Sequence, residues 1–216
     1  MQAYAVHSLH GLPHVLDQAL QVGRRRISVI DNEVRVFLGH RRIAAAFTTT
    51  VEGTAPESWD QPAPVDGWVA RDVVRHLVEW FPAFLDGAAG ITLPAGPSVD
   101  DDPVGAWRTQ TDAVQVLLDD ADTADREHDL PHIGRMPLGK AIDMIYTGDV
   151  FLHRWDLARA TGQDETLDPD KCAAMLEGML PMDEALRQSG QYGPRVHVPD
   201  DADVQTKLLA FIGRTP

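Results

Sequence analysis

The run from Tyr146 to Gly162 limits the possible folds of this chain more than any other stretch. Wound as an α-helix, it places Asp149 and His153, four residues apart, on one face. In that register Leu138, Ile142, Ile145, Tyr146, Leu152, Leu157 and Ala160 fall on the same side, as does Asp156. Lys140, Thr147 and Arg154 fall on the opposite side. An unpaired carboxylate or imidazole in such a seam costs roughly 1–3 kcal/mol or more. Both groups therefore need partners, and a divalent metal is one.

The other partners must come from elsewhere in the chain. From Val36 an apolar spacing (Val36, Ile43, Phe47, Val51) predicts a helix with His40 in its seam. A proline-rich loop, Trp59–Gly67, leads to a second helix from about Trp68 to Leu85. Its buried face is expected to hold Val69, Val73, Leu77, Trp80 and Phe84, with His76 at the margin and Asp72 one turn earlier. Asp86-Gly87 reads as its stop and Pro82 as a kink in its last turn. Asp100-Asp101-Asp102 before Pro103 opens a third helix to about Leu118, burying Val104, Trp107, Thr111, Val114 and Leu118. Acidic, turn-like Asp119–Asp129 separates it from the fourth, the Asp149/His153 helix. Asp168-Pro169-Asp170 starts a fifth reaching about Gln188 with a break at Pro181, and a short extended piece at Arg195–Pro199 precedes a last helix over Val204–Ile212. Four helices of bundle length predict an all-α bundle over 36–216.

Residues 1–35 read as an extension. Leu9–Val22 suits a short helix, and Ile27–Ile30 with Glu33–Phe37 around Asp31-Asn32 suits a two-residue hairpin, although the helical pattern starting near Val36 competes for the same residues. His7, His10 and His14 lack the spacing of a helical chelate.

Composition removes several function classes. The 216 residues are 44% hydrophobic, enough for one sizeable core. Nineteen Lys and Arg against 33 Asp and Glu leave a net charge of −14, which repels phosphate backbones and anionic headgroups, so no nucleic-acid or membrane partner is expected. No apolar run approaches the roughly 20 residues of a spanning helix, and the start of the chain has no signal-peptide core. Cys172, the one cysteine, has no partner for an internal disulfide, in keeping with a reducing cytoplasm. Beside Ala173 and Ala174 it reads as a packed side chain rather than a nucleophile.

An antiparallel bundle can bring His76 beside Asp149 and His153. Two imidazoles and a carboxylate with a vacant position are the ligand set of an open, catalytic zinc site, and also suit iron, manganese or nickel. Asp156 can orient His153 or a metal-bound water, and Asp72 is either a second such group or a first-turn helix residue. His40 is the next candidate ligand. A hydrogen-bonded cluster without metal fits the same spacing. Trp68, Trp80, Trp107 and Trp155 are expected in the core or in a pocket wall.

Gly67-Trp-Val-Ala-Arg-Asp-Val-Val-Arg-His-Leu77, with Trp59–Asp66 before it, resembles the PxxGWxVRDLVxHL segment of the DinB-like superfamily. Within that superfamily it is most similar to metal-binding bundles of the mycothiol-dependent maleylpyruvate isomerase type. His153–Gly162 resembles the HxWDLARATG signature of an actinobacterial branch of that group, and Tyr192–Pro199 with Asp203–Gly213 resembles the branch's C-terminal ending. The resemblance covers about residues 37–216. It implies a DinB-like four-helix bundle with an additional C-terminal helical segment. It also implies a metal triad of His76, Asp149 and His153, with Asp149 where the isomerases carry Glu. Those isomerases have a separate C-terminal domain, whereas about 25 residues follow Gly190 here, so maleylpyruvate is not the expected substrate.

The function expected is that of a divalent-metal protein, zinc first, using a small thiol such as mycothiol on a small electrophilic substrate by S-transfer or isomerisation. A metal-hydroxide hydrolase assisted by Asp156 or Asp72, and a non-catalytic metal- or ligand-binding bundle, are the alternatives. Both monomer and homodimer are compatible with the sequence.

Overall fold

A computed structural model describes residues 29–130, 134–188, 190 and 192–216. The described residues are mainly helical, as expected of an all-α bundle. Helix α1 spans Val29–Glu52, α2 Ala70–Ala89, α3 Pro103–Asp119 and α4 Ala121–Ala124. Strands β1 (Glu127–Leu130) and β2 (Gly134–Pro137) pair. Helix α5 (Leu138–Ala141), a π-helical segment (Ile142–Thr147) and α6 (Gly148–Thr161) then run on without a break in sequence. Helices α7 (Pro169–Met179), α8 (Asp183–Gln188) and α9 (Val204–Phe211) complete the chain. None of the described helices is long and apolar enough to cross a membrane.

Contacts divide these elements into two units. In the larger, which ends at Thr166, α1 packs on α3, α6 and the π segment, and α2 packs on α3 and α6. Its core includes Phe47, Leu77, Phe81, Trp107, Leu118, Tyr146 and Trp155. In the smaller, which includes Leu167–Pro216, α7 packs on α9. There Arg187 bonds the carbonyls of Gly193 and Phe211, and Asp183 holds both Arg187 and Arg195.

Several local expectations change. Helix α1 begins at Val29, so Asp31-Asn32 lies inside a helix and not at a hairpin tip. A type I′ turn needs positive φ at both central residues, and no glycine is present there to supply it. Ile27 and Ser28, the Leu9–Val22 helix and His7, His10 and His14 lie outside the described residues. Helix α2 passes Asp86-Gly87 and stops at Gly90, which takes the left-handed conformation (φ 65°) and donates to the Asp86 and Leu85 carbonyls. Its fully buried face is Ala70, Val73, Val74, Leu77, Phe81 and Leu85, while Trp80 and Phe84 are half-buried. On α3, Gln110 rather than Thr111 is buried. The acidic stretch after α3 holds α4 and β1, elements of four residues each, too short to show a period. In the stretch Arg195–Pro199 the Val196 amide bonds the Ala210 carbonyl of α9.

Other signals were direct. Asp102 accepts from the Gly105 amide at 2.8 Å with Pro103 in the first helical position. Asp168 accepts from the Asp170 and Lys171 amides, and Asp203 from the Thr206 amide. Around Pro181 the chain tightens into a 3₁₀ turn, Leu180–Met182.

Candidate metal centre

The loop ahead of α2 sets the rotation of that helix. The Ala63 amide donates to the Trp68 carbonyl, the Ala70 amide to Gln61 and the Arg71 amide to Trp59. The Val69 amide donates to Asp72 Oδ2 at 3.0 Å, and Arg75 Nε to Asp72 Oδ1 at 3.3 Å. Asp72 is therefore a first-turn helix residue. Its oxygens are occupied at the helix start, away from a role beside a ligand, because an acid three residues into a helix meets the unpaired amides first. One turn on, His76 projects toward α6.

His76, Asp149 and His153 each offer a ligand atom within 4.8 Å of the others. His76 Nε2 lies 3.0 Å from Asp149 Oδ2, and His153 Nε2 lies 3.4 Å from Asp149 Oδ1. Two imidazole nitrogens thus address the two oxygens of one carboxylate. The indole of Trp80 donates to Asp149 Oδ2 at 2.9 Å. His153 Nδ1 lies 2.9 Å from Asp156 Oδ2. Side-chain exposure falls from 31% at His76 and 25% at Asp149 to 8% at His153 and 1% at Asp156, so solvent reaches the cluster from the His76 side. The ring of Trp68 lies 5.1 Å from His76 and 5.7 Å from His153, nearly parallel to the latter. It forms a wall of the site.

The electrostatics favour a cation. Burial opposes ionisation of Asp149, but His153, then His76 and the Trp80 bond, outweigh it and hold the carboxyl below the usual carboxylate range. When Asp156 is ionised it only accepts hydrogen bonds, which favours the His153 tautomer with its ring proton on Nδ1. The Nε2 lone pair then faces Asp149 Oδ1. Two acceptors in that position need a positive charge between them, either a second ring proton or a metal ion. Tetrahedral zinc with bonds of about 2.0–2.1 Å sets neighbouring ligand atoms about 3.3 Å apart. The two nitrogens lie 3.0 and 3.4 Å from different oxygens of Asp149, and one ligand atom from each residue falls within 4.8 Å of the others, so the three close on such an ion by a small inward shift, and a carboxylate on the far nitrogen of a ligand imidazole is the usual outer partner. The donor set fits a divalent metal.

His40 stands outside this cluster among the described residues. It is 1% exposed, and its Nδ1 lies 2.8 Å from Thr147 Oγ1. Thr147 is itself fully buried, not on the open side that an uninterrupted α-helix predicts, because the π segment shifts the register ahead of α6. Two features of the site go beyond what the sequence led us to expect: the Trp80 indole bond and the His40–Thr147 pair. The first was legible, since Trp80 follows His76 by four residues on one helix. No sequence signal marks the second.

Over residues 40–158 the chain matches the family described as mycothiol maleylpyruvate isomerase N-terminal domain, more than half its length. The chain belongs to that family. Two curated relatives from Mycobacterium tuberculosis share 26% identity over 187 residues, spanning 82% of this chain and 97% of each relative. They are Uncharacterized protein Rv0738 of strain H37Rv and Uncharacterized protein MT0763 of strain CDC 1551. No solved structure matches. The family segment contains His76, Asp149, His153 and Asp156 and ends before Leu167–Pro216, the C-terminal part of the smaller unit.

Proposed function

We propose that His76, Asp149 and His153 hold a divalent metal, zinc first, in an enzyme that uses a small thiol such as mycothiol. The reaction is S-transfer to, or isomerisation of, a small electrophilic substrate. The observation that carries this reading is the line Asp149–His153–Asp156, in which His153 Nε2 and a carboxylate oxygen face each other across 3.4 Å while Asp156 holds the far ring nitrogen. Membership of a family named for a mycothiol enzyme supports the choice of thiol.

When bound, the metal supplies Lewis acidity that lowers the pKa of a thiol at its open position. The chain's own residues arrange the rest. Asp156 keeps the His153 proton on Nδ1 and turns Nε2 toward the ligand position. Trp80 pins Asp149 Oδ2 and fixes the carboxylate plane. Trp68 covers the two imidazoles and keeps water from that side. The nucleophilic sulfur comes from outside the chain, because burial, aided by Asp168 and Asp203, pushes the Cys172 thiol up to about 11. A purely structural site would want a closed four-ligand shell, and His40, the obvious fourth, is bonded to Thr147 instead.

Elemental analysis of the purified protein beside His153→Ala and Asp149→Ala tests the site. About one equivalent of zinc or another divalent ion, lost in both variants, is expected. Wild-type protein that is empty and refuses added metal overturns the reading. Cobalt-substituted protein titrated with small thiols should develop a sulfur-to-cobalt charge-transfer band, and its absence removes the thiol while leaving the metal.

A further inference from the structure

The π-helical segment Ile142–Thr147 lies between two α-helical stretches and ends two residues before Asp149. A π turn holds more residues than an α turn, so the helix beyond it emerges rotated, by about 100° for each residue gained. The direction in which Asp149 and His153 leave the helix therefore depends on this segment. Such a segment needs outside support to persist.

His40 supplies it. Its imidazole is buried on α1, its Nδ1 meets Thr147 Oγ1 at 2.8 Å, and its ring lies against Tyr146 with centroids 6.0 Å apart. Among the described residues, no hydrogen-bond partner reaches its Nε2. A buried, unpartnered nitrogen is unfavourable, and an apolar side chain would fill the space without it. What the imidazole adds is its bond to Thr147. Tyr146, the neighbour of Thr147, in turn stacks on Phe81 of α2 at 4.0 Å and meets Trp80 edge-on. The π segment is thus clamped between α1 and α2, the helix that carries His76 and Trp80.

We propose that His40 is a positioning residue whose bond to Thr147 locks the π segment and thereby sets the rotation at which Asp149 meets His76 and Trp80. Only the consequence for metal affinity rests on the proposed metal centre.

The Trp80 indole N–H reports the position of Asp149 without any metal. Its hydrogen exchange is measured by NMR in wild type, His40→Leu, Thr147→Val and His40→Asn. The buried Trp107 indole, which donates to Thr48, serves as the reference for overall stability. In His40→Leu and Thr147→Val the Trp80 proton should exchange ~10-fold faster or more while Trp107 holds its rate. His40→Asn, whose amide stands in for Nδ1, should restore Trp80 protection. Unchanged Trp80 exchange in the Leu variant, or equal acceleration of both indoles, overturns the proposal. Cobalt affinity, read by competition with a chromophoric chelator, should fall ~10–100-fold in the Leu and Val variants and recover in the Asn variant. A wild type that binds no cobalt, with Trp80 exchange still faster in the Leu and Val variants, supports the positioning role and removes the metal reading instead.

Discussion

His153 sits between two carboxylates, one on each ring nitrogen, at a depth where water screens little. This concentrates the chemistry of the site at one residue, because the proton or metal on Nε2 is felt by both acids. His40 illustrates the opposite use of burial. Burial lowers its pKa from 6.5 to about 4, so the folded protein refuses a proton that the unfolded chain accepts. At neutral pH both states carry a neutral ring, and His40 adds nothing to the pH dependence. As pH falls from 6.5 toward 4 the unfolded state alone gains a proton, so stability declines across that window. The full shift corresponds to roughly 3 kcal/mol. Denaturant unfolding near neutral pH and near pH 4.5 should therefore show wild type losing about 2–3 kcal/mol more than His40→Asn. Parallel pH profiles for the two proteins would refute the assignment.

Helix ends show how a few residues place an element. Gly90 and Gly162 close α2 and α6 in the left-handed conformation, and nothing lies within 4 Å of where a Cβ would stand on either. Gly213 (φ 86°) differs, because a Cβ there would lie 2.8 Å from the Gly193 Cα. Gly162→Ala should cost about 1–2 kcal/mol, the strain of positive φ alone. Gly213→Ala should cost more, since backbone must move as well. Thermal unfolding of the two variants beside wild type checks the order, and equal losses would show that the Gly193 contact yields freely. The π segment is the less regular device. It buries Tyr146 and Thr147, the two residues that His40 meets from α1.

At the scale of the larger unit, His76 comes from α2 and Asp149 with His153 from α6, so the centre forms only when the two helices are packed. Metal bound at such a place is linked to folding. At a free concentration of 100 times its dissociation constant it adds about 2.7 kcal/mol to unfolding. Calorimetry with and without added zinc should show a raised melting temperature in wild type and none in His153→Ala. Asp156→Ala should need ~10–100-fold more metal for the same rise, because its His153 ligand loses its orienting partner. Identical zinc-induced shifts in all three proteins would place the ion elsewhere.

The helices, their caps at Asp102 and Asp168, and the pairing of Asp149 with His153 were written in local spacing. Local spacing suffices there because a cap or a chelating pair is formed by residues within one turn. His76 could be named as the third member because it lies at the margin of an apolar face, where an imidazole is conspicuous. What local spacing could not supply was anything that joins distant segments. The bond from His40 crosses 107 residues to Thr147, and no period in either segment announces it. A register read at 3.6 residues per turn put Thr147 on the open side, and the π segment buried it. The division of Asp72 from Asp156 followed the same logic. Both precede or follow a histidine closely, yet Asp72 meets the free amides of a helix start while Asp156 lies under His153. The chain's patterning decided which side chains were available to the site, and packing of α1 and α2 around the π segment decided which of them meet.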